Sequence, residues 1–184
     1  VNIFYIDESA QQCAEWMVDK HCVKMIVETA QLLSTAHRIL DGDEYVGESK
    51  TGRKAKRWRL NDGRQDVLYS ASHINHPSAV WVRQSVENYN WLVDHLFALG
   101  DEYTYRYGKK HSTIEKLGYQ LQSPPYKLKE WDWTPMPCCM PDEYKVSDDP
   151  VLNYRNYYVN AKAYLKSYKN RQPPPWWPDD SGVF

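Results

Sequence analysis

Between Asp19 and Leu40 the chain is patterned for a helix with two unlike faces. Val23, Ile26, Ala30, Leu33 and Leu40 recur at helical spacing, and Asp41-Gly42-Asp43 marks the end. Asp19 is placed to cap the start. The other face carries His21, Lys24, Glu28, Gln31 and Thr35, each three or four residues from the last. A solvated face is ordinarily richer in Glu and Lys and poorer in His, Gln and Thr. His21, Lys24 and Glu28 point the same way, close enough for an acid, a base and an anion-binding cation to share a pocket. The row predicts a polar side turned inward toward a ligand, with a plain solvated face as the competing reading.

At 184 residues the chain has the length of one domain, and 42% hydrophobic against 26% charged residues is enough apolar material for a core. A formal charge of -1 excludes a uniformly basic protein but leaves room for a local basic patch. No apolar run approaches the ~18 residues that a membrane helix needs. The start, Val1 to Asp7, lacks the basic flank and apolar stretch of a secretory signal. The expectation is a soluble, cytoplasmic protein without membrane association.

The rest of the pattern is also mainly helical. Asn2 to Ile6 is a short apolar run, either a strand or a packed arm. Ser9-Ala10-Gln11-Gln12 has capping-box spacing ahead of Cys13, Ala14, Trp16 and Met17. Pro77 suits a first helical turn, and one or two helices run on to Tyr107. Their buried stripe is Tyr89, Leu92, Val93, Leu96, Leu99 and Tyr103, with Gly108 as the stop. Ser112-Thr113-Ile114-Glu115 predicts the cap of a short helix containing Leu117 and Leu121. Residues 123–149 read as a Pro- and Trp-rich loop, because six of the 11 prolines lie between Pro124 and Pro150 together with Trp131 and Trp133. A last helix over 150–171 begins at Asp149-Pro150 and buries Val151, Tyr154, Tyr158, Ala161, Leu165 and Tyr168. The fold class expected is mainly α, a compact single-domain helical fold over residues 1–184.

Two features of composition point toward nucleic acid. Trp (8) and Tyr (15) far outnumber Phe (3), and their broad rings with a polar handle suit stacking on bases. Residues 42–66 read as an irregular basic loop, in which Lys50, Arg53, Lys54, Lys56, Arg57 and Arg59 surround Trp58 with no acid among them. Such a loop suits phosphate contacts; a flap pairing with the protein's own acids is the alternative. Arg83, Arg106 and Arg155 lie among aromatic neighbours, which favours bidentate recognition of phosphate, with structural ion pairs as the competing role. His73 and His76, just ahead of Pro77, suit other roles better than a metal: a general base or phosphate ligand for His73 and a helix cap for His76. The cysteines, two of them adjacent at Cys138 and Cys139, form no zinc pattern. No metal and no cofactor is expected.

The run from Asp19-Lys20-His21-Cys22 through Lys24 and Glu28 to Gln31 resembles the front motif of proteins grouped with the phage-type pyrimidine-dimer DNA glycosylases. Asn75-His76-Pro77-Ser78-Ala79-Val80-Trp81, Met140-Pro141-Asp142-Glu143-Tyr144 and the closing Pro175-Trp176 extend the likeness, which is closer still to uncharacterised phage proteins with the same motifs. The resemblance implies an all-helical fold with its N-terminal segment threaded between helices. It also implies that the α-amine of the mature N-terminus, here Val1, attacks C1′ of a damaged nucleotide, forms a Schiff base and permits strand cleavage, assisted by a carboxylate. The family's Glu corresponds to the stretch from Asp19 to Lys24, which offers Asp19 and His21; Glu28 follows one turn after Lys24. The resulting reading is a DNA-processing enzyme acting on a base or its N-glycosidic bond in an infected host cell. Val1, Asp19, His21, Lys24 and Glu28 are its catalytic candidates. Lys54, Lys56, Arg57, Trp58, Arg59, His73, His76, Arg83, Arg106, Trp131, Trp133, Arg155 and Lys162 are the nucleic-acid-binding candidates. The alternatives are an enzyme for a free nucleotide or modified base, and a non-catalytic nucleic-acid-binding module. The expected partner is DNA or a nucleotide.

Overall fold

Side-chain caps set most helix starts in this chain. Ser9 Oγ accepts from Gln12 N ahead of helix α1 (Ala10–Glu15), and the His76 ring accepts from Ser78 N ahead of α3 (Pro77–Val82). Ser85 does the same for α4 (Val86–Tyr107), the His111 ring for α5 (Ser112–Leu121) and Asp149 for α6 (Pro150–Ala161). Helix α2 (Asp19–Asp41) has no side-chain cap, since Val18 stands at that position. Two expected caps are therefore corrected. Asp19 is the first helical residue with its carboxylate engaged elsewhere, and His111 takes the place of Ser112. Gly108 ends α4 at φ +70°, a conformation that costs glycine nothing. These elements belong to a computed structural model that describes residues 1–179; residues 180–184, included in the expected single domain, lie outside it.

Helix α2 lies at the centre and packs against α3, α4 and α5, while α1 lies on α4. From Leu32 to Arg38 every residue of α2 is buried, so this stretch has no solvated face. Val23 and Leu40, expected in its core stripe, are only half-buried. Residues 3–6 form an arm rather than a strand: Ile3 and Ile6 are fully buried, and Arg155 Nε donates to Ile6 O at 2.8 Å. Residues 124–149 are irregular apart from a 3-10 turn at Asp142–Tyr144. They dock on the start of α4, where Val86 N and Glu87 N donate to Glu130 O and Trp131 O. Among the described residues no helix is long and apolar enough to cross a membrane.

Residues 43–59 form a hairpin and Gly63–Asp66 a 3-10 turn, which corrects the irregular loop expected over 42–66. Strands β1 (Asp43–Glu48) and β2 (Lys54–Arg59) pair antiparallel, with Glu44 opposite Trp58, Tyr45 opposite Arg57 and Glu48 opposite Lys54. The basic strand thus has an acidic partner, and Lys56 Nζ comes within 3.5 Å of Glu44. Those acids lie about ten residues upstream, outside the window in which the cations cluster. Gly42 lets the hairpin leave α2, since a Cβ there would sit 2.4 Å from Arg38 O and 3.1 Å from Trp58 Cβ.

Helix α6 stops at Ala161, ten residues short of the expected end. After a 3-10 turn at Ala163–Leu165 the chain crosses the start of α2. There Asp19 accepts from Ser167 Oγ at 2.8 Å and Lys169 N at 2.9 Å, and Tyr168 Oη donates to Trp16 O at 2.6 Å. These tertiary bonds override the modest helical preference of the segment.

Beneath this crossing the Arg106 side chain has no exposure and donates to Glu102 at 2.9 Å, Asp19 at 3.0 Å and Glu15 O at 3.0 Å. Arg171 reaches the same Glu102 at 2.8 Å. Arg106 is therefore an internal cross-link and makes no nucleic-acid contact. Truncating one partner strands a buried carboxylate, so Arg106→Ala is expected to lower the unfolding free energy by about 3–5 kcal/mol. Urea denaturation at pH 7 checks this.

Candidate active site at the threaded arm

The arm is shaped by one side chain and one strained residue. Asn2 Oδ1 accepts from the backbone N–H groups of Ile3 and Phe4, while its Nδ2 donates to Cys139 O at 2.8 Å. Phe4 has φ +56°, a left-handed conformation that costs a bulky residue of order 1–3 kcal/mol. The ring is held by stacking on His21, with centroids 4.4 Å apart, and on Tyr157 at 6.2 Å. Phe4 O accepts from Ile6 N and from Cys13 Sγ. Together these contacts fix where residue 1 lies.

The nitrogen of Val1 stands 3.6 Å from Glu28 Oε1, with side-chain exposures of only 8% and 19%. His76 belongs to the same neighbourhood. Burial, then the charge at the amine of residue 1 and His73, lowers the His76 pKa. Its Nδ1 accepts from Ser78 N at 3.1 Å, so the neutral ring carries its proton on Nε2. Ser78 Oγ in turn meets Cys139 Sγ at 3.4 Å, which ties α3 to the loop that holds Asn2. An amine, a carboxylate and a neutral imidazole thus converge where water is partly excluded. That set can attack an electrophilic carbon and carry protons to and from it.

The polar row of α2 does not form one wall. His21 is buried beneath Phe4 and shares a 2.8 Å hydrogen bond with Tyr158 Oη. Burial first, then the nearby lysines, pushes its pKa down to about 4, so it is a neutral core residue. Lys24 is exposed, and Thr35 bonds the backbone of Ser72. Asp19 is committed to Arg106 and the C-terminal segment, nine residues and ~13 Å of helix from Glu28. Only Val1 and Glu28 of the five catalytic candidates meet. Asn2, Ser78 and Cys139 complete the surroundings, and no spacing signal marks them, since the Asn2–Cys139 bond spans 137 residues.

The nucleic-acid candidates also divide. Arg155 lies between Trp16 and Trp176, at 5.4 and 5.2 Å from the rings, and pairs with Asp7 at 2.9 Å. That corrects its expected phosphate role to a structural one. Arg83 donates to Ala79 O and Ile74 O. Trp133 packs edge-on against Trp81 and Trp91 and tilted against Tyr5, so it is part of an aromatic cluster although one side of it is exposed; Trp131 is more exposed still. His76 caps α3, and His73 is exposed at φ +48°. Lys162 lies over the Tyr157 ring at 5.4 Å, on the side of the arm where Lys24 is exposed. Lys54, Lys56, Arg57, Trp58 and Arg59 are on the hairpin, with Arg59 over the Tyr45 ring at 4.7 Å. No protein-family model, curated protein or solved structure matches this chain.

His21, His37 and His95 are all pushed to about 4, chiefly by burial. Their folded pKa values lie below the ordinary 6.5, so the unfolded chain binds more protons and stability rises with pH in this range. Stability is therefore expected to fall as pH drops from about 6.5 toward 4, with roughly three protons taken up per molecule unfolded near pH 5.5. Urea midpoints across pH 5 to 7 measure that slope; a flat profile contradicts the neutral buried assignment.

Proposed function

We propose that the chain is an enzyme that acts on DNA at a nucleobase or its N-glycosidic bond, with the amine of residue 1 as nucleophile and Glu28 as its proton carrier. The observation that supports this is the approach of Val1 N to Glu28 at 3.6 Å in a half-closed site beside a neutral His76. The reading requires residue 1 to carry a free amine. Attack of that amine on C1′ breaks the C1′–N bond, and the base departs with one of the two amine protons. Ring opening moves the second proton, through Glu28, to O4′ and leaves an imine between residue 1 and the sugar. In this reading His76 Nε2–H protonates the departing base and is reprotonated by the proton the amine loses. The exposed Lys24 and the half-buried Lys162 flank the arm as phosphate partners.

A free nucleotide is the second substrate reading. It is favoured by the hairpin, where acids of β1 oppose cations of β2 and reduce its pull on a long polyanion.

Borohydride is expected to trap a covalent adduct between residue 1 and abasic or base-damaged DNA, located by peptide mass. Glu28→Gln should reduce the trapping rate by roughly 10²–10⁴-fold, and a chain with its residue 1 amine acetylated should give no adduct. Equal trapping by the acetylated and free-amine proteins overturns the mechanism.

A further inference from the structure

A cavity of about 180 Å³ opens between the hairpin and residues 65–71, and no carboxylate lines it. Arg38 forms its floor and is 5% exposed. All five N–H groups of this guanidinium end on neutral oxygens. Nε donates to Tyr69 O, Nη1 to Trp58 O and Gln65 Oε1, and Nη2 to Gln65 O and Leu68 O, at 2.7 to 3.0 Å. The geometry is saturated but the charge is not neutralised. Other buried arginines differ, because Arg64 has Asp41 and Asp62, and Arg106 has Asp19 and Glu102. A guanidinium does not shed its proton, so Arg38 projects a positive potential into the space above it.

The mouth of the same cavity holds donors without full employment. Arg57 makes a single long bond, 3.3 Å to Glu48 O, and the hydroxyls of Tyr45 and Ser70 have no hydrogen-bond partner among the described residues. Other cavities carry their own acids: one of about 640 Å³ is lined by Glu15, Asp94, Asp101 and Glu102, and the one beside Tyr5 by Glu8, Asp148 and Asp149. The cavity at Arg64 has a cation that is already paired twice.

We infer that the Arg38 cavity seats a phosphate group of a nucleotide, with Arg57, Tyr45 and Ser70 as hydrogen-bond donors and Arg38 as the charge behind them. The phosphate supplies the counter-ion that the fold leaves out. It can arrive as a diester within a strand or on a free nucleotide, and the chemistry of recognition is shared. Arg38 is ten residues from Glu28 on α2, ~15 Å along the axis, so a strand seated here runs several nucleotides past the proposed reacting sugar. The inference rests on the reading above for the class of ligand, not for the reaction at residue 1.

Calorimetry on the full chain with a nucleoside 5′-monophosphate and with a short single-stranded oligonucleotide tests it. Arg57→Gln is expected to weaken binding at least tenfold and to lower the salt slope by about one; Tyr45→Phe should weaken it several-fold. Both variants alter half-exposed or exposed side chains, and unchanged thermal midpoints confirm that they fold. Loss confined to the oligonucleotide assigns the seat to a strand, and loss for both probes assigns it to nucleotides generally. Binding of neither probe, or binding indifferent to Arg57 and Tyr45, overturns the inference. Retained, Arg57-dependent binding without borohydride trapping overturns the reaction alone, whereas trapping with Arg57-independent binding overturns the phosphate seat alone.

Discussion

The enclosure of α2 is the constraint from which the rest follows. Between Leu32 and Arg38 the helix is covered on every side, so its polar groups are cut off from water and most take a partner inside the fold, Ser34 Oγ being the exception. His37 uses Tyr89 Oη at 2.7 Å and the Arg64–Asp41 pair, Thr35 uses the backbone of Ser72, and Arg38 gathers the carbonyls of the 58–69 segment. The partners come from different stretches, and collecting them is what draws the hairpin, the 65–72 segment and α4 around one rod. Glu28 belongs to the same series, with the difference that its partner is the nitrogen of residue 1.

Two crossings then close the molecule around the first turns of α2. Residues 2–7 pass over His21, on which Phe4 stacks, and are held by Arg155, while residues 167–171 pass over Asp19 and Glu102. Arg106 joins the second crossing to α4 from inside. The arm is held by stacking and by Asn2, without a carboxylate of its own until Asp7. Among the described residues, the ion pair of Glu28 is with the nitrogen of residue 1.

What the sequence revealed was what local pattern can encode. The position of α2, the caps at Ser9 and Asp149, the stop at Gly108 and the helical turn begun by Pro77 all depend on residues within four positions of one another. The row His21–Lys24–Glu28 was legible as a row, but not as three fates, because burial of His21 depends on Phe4 and Tyr158, which lie far off in sequence. In sequence the hairpin looks like an irregular basic loop, because its acids stand on the opposite strand. The final helix looks ten residues longer than it is, because Asp19 captures Ser167 and Lys169. Arg106 and Arg155, cations among aromatic residues, resemble ligand-binding arginines until their carboxylates at Asp19, Glu102 and Asp7 are located.

The arm also says something about the order of assembly. Asn2 meets Cys139 across 137 residues and Arg155 meets Ile6 across 149, so both contacts close nearly the whole chain into a ring. Loops of that span reward the chain only after most of the intervening helices are in place. Residue 1 and Glu28 therefore come together late on the folding route, and a half-folded intermediate lacks their meeting.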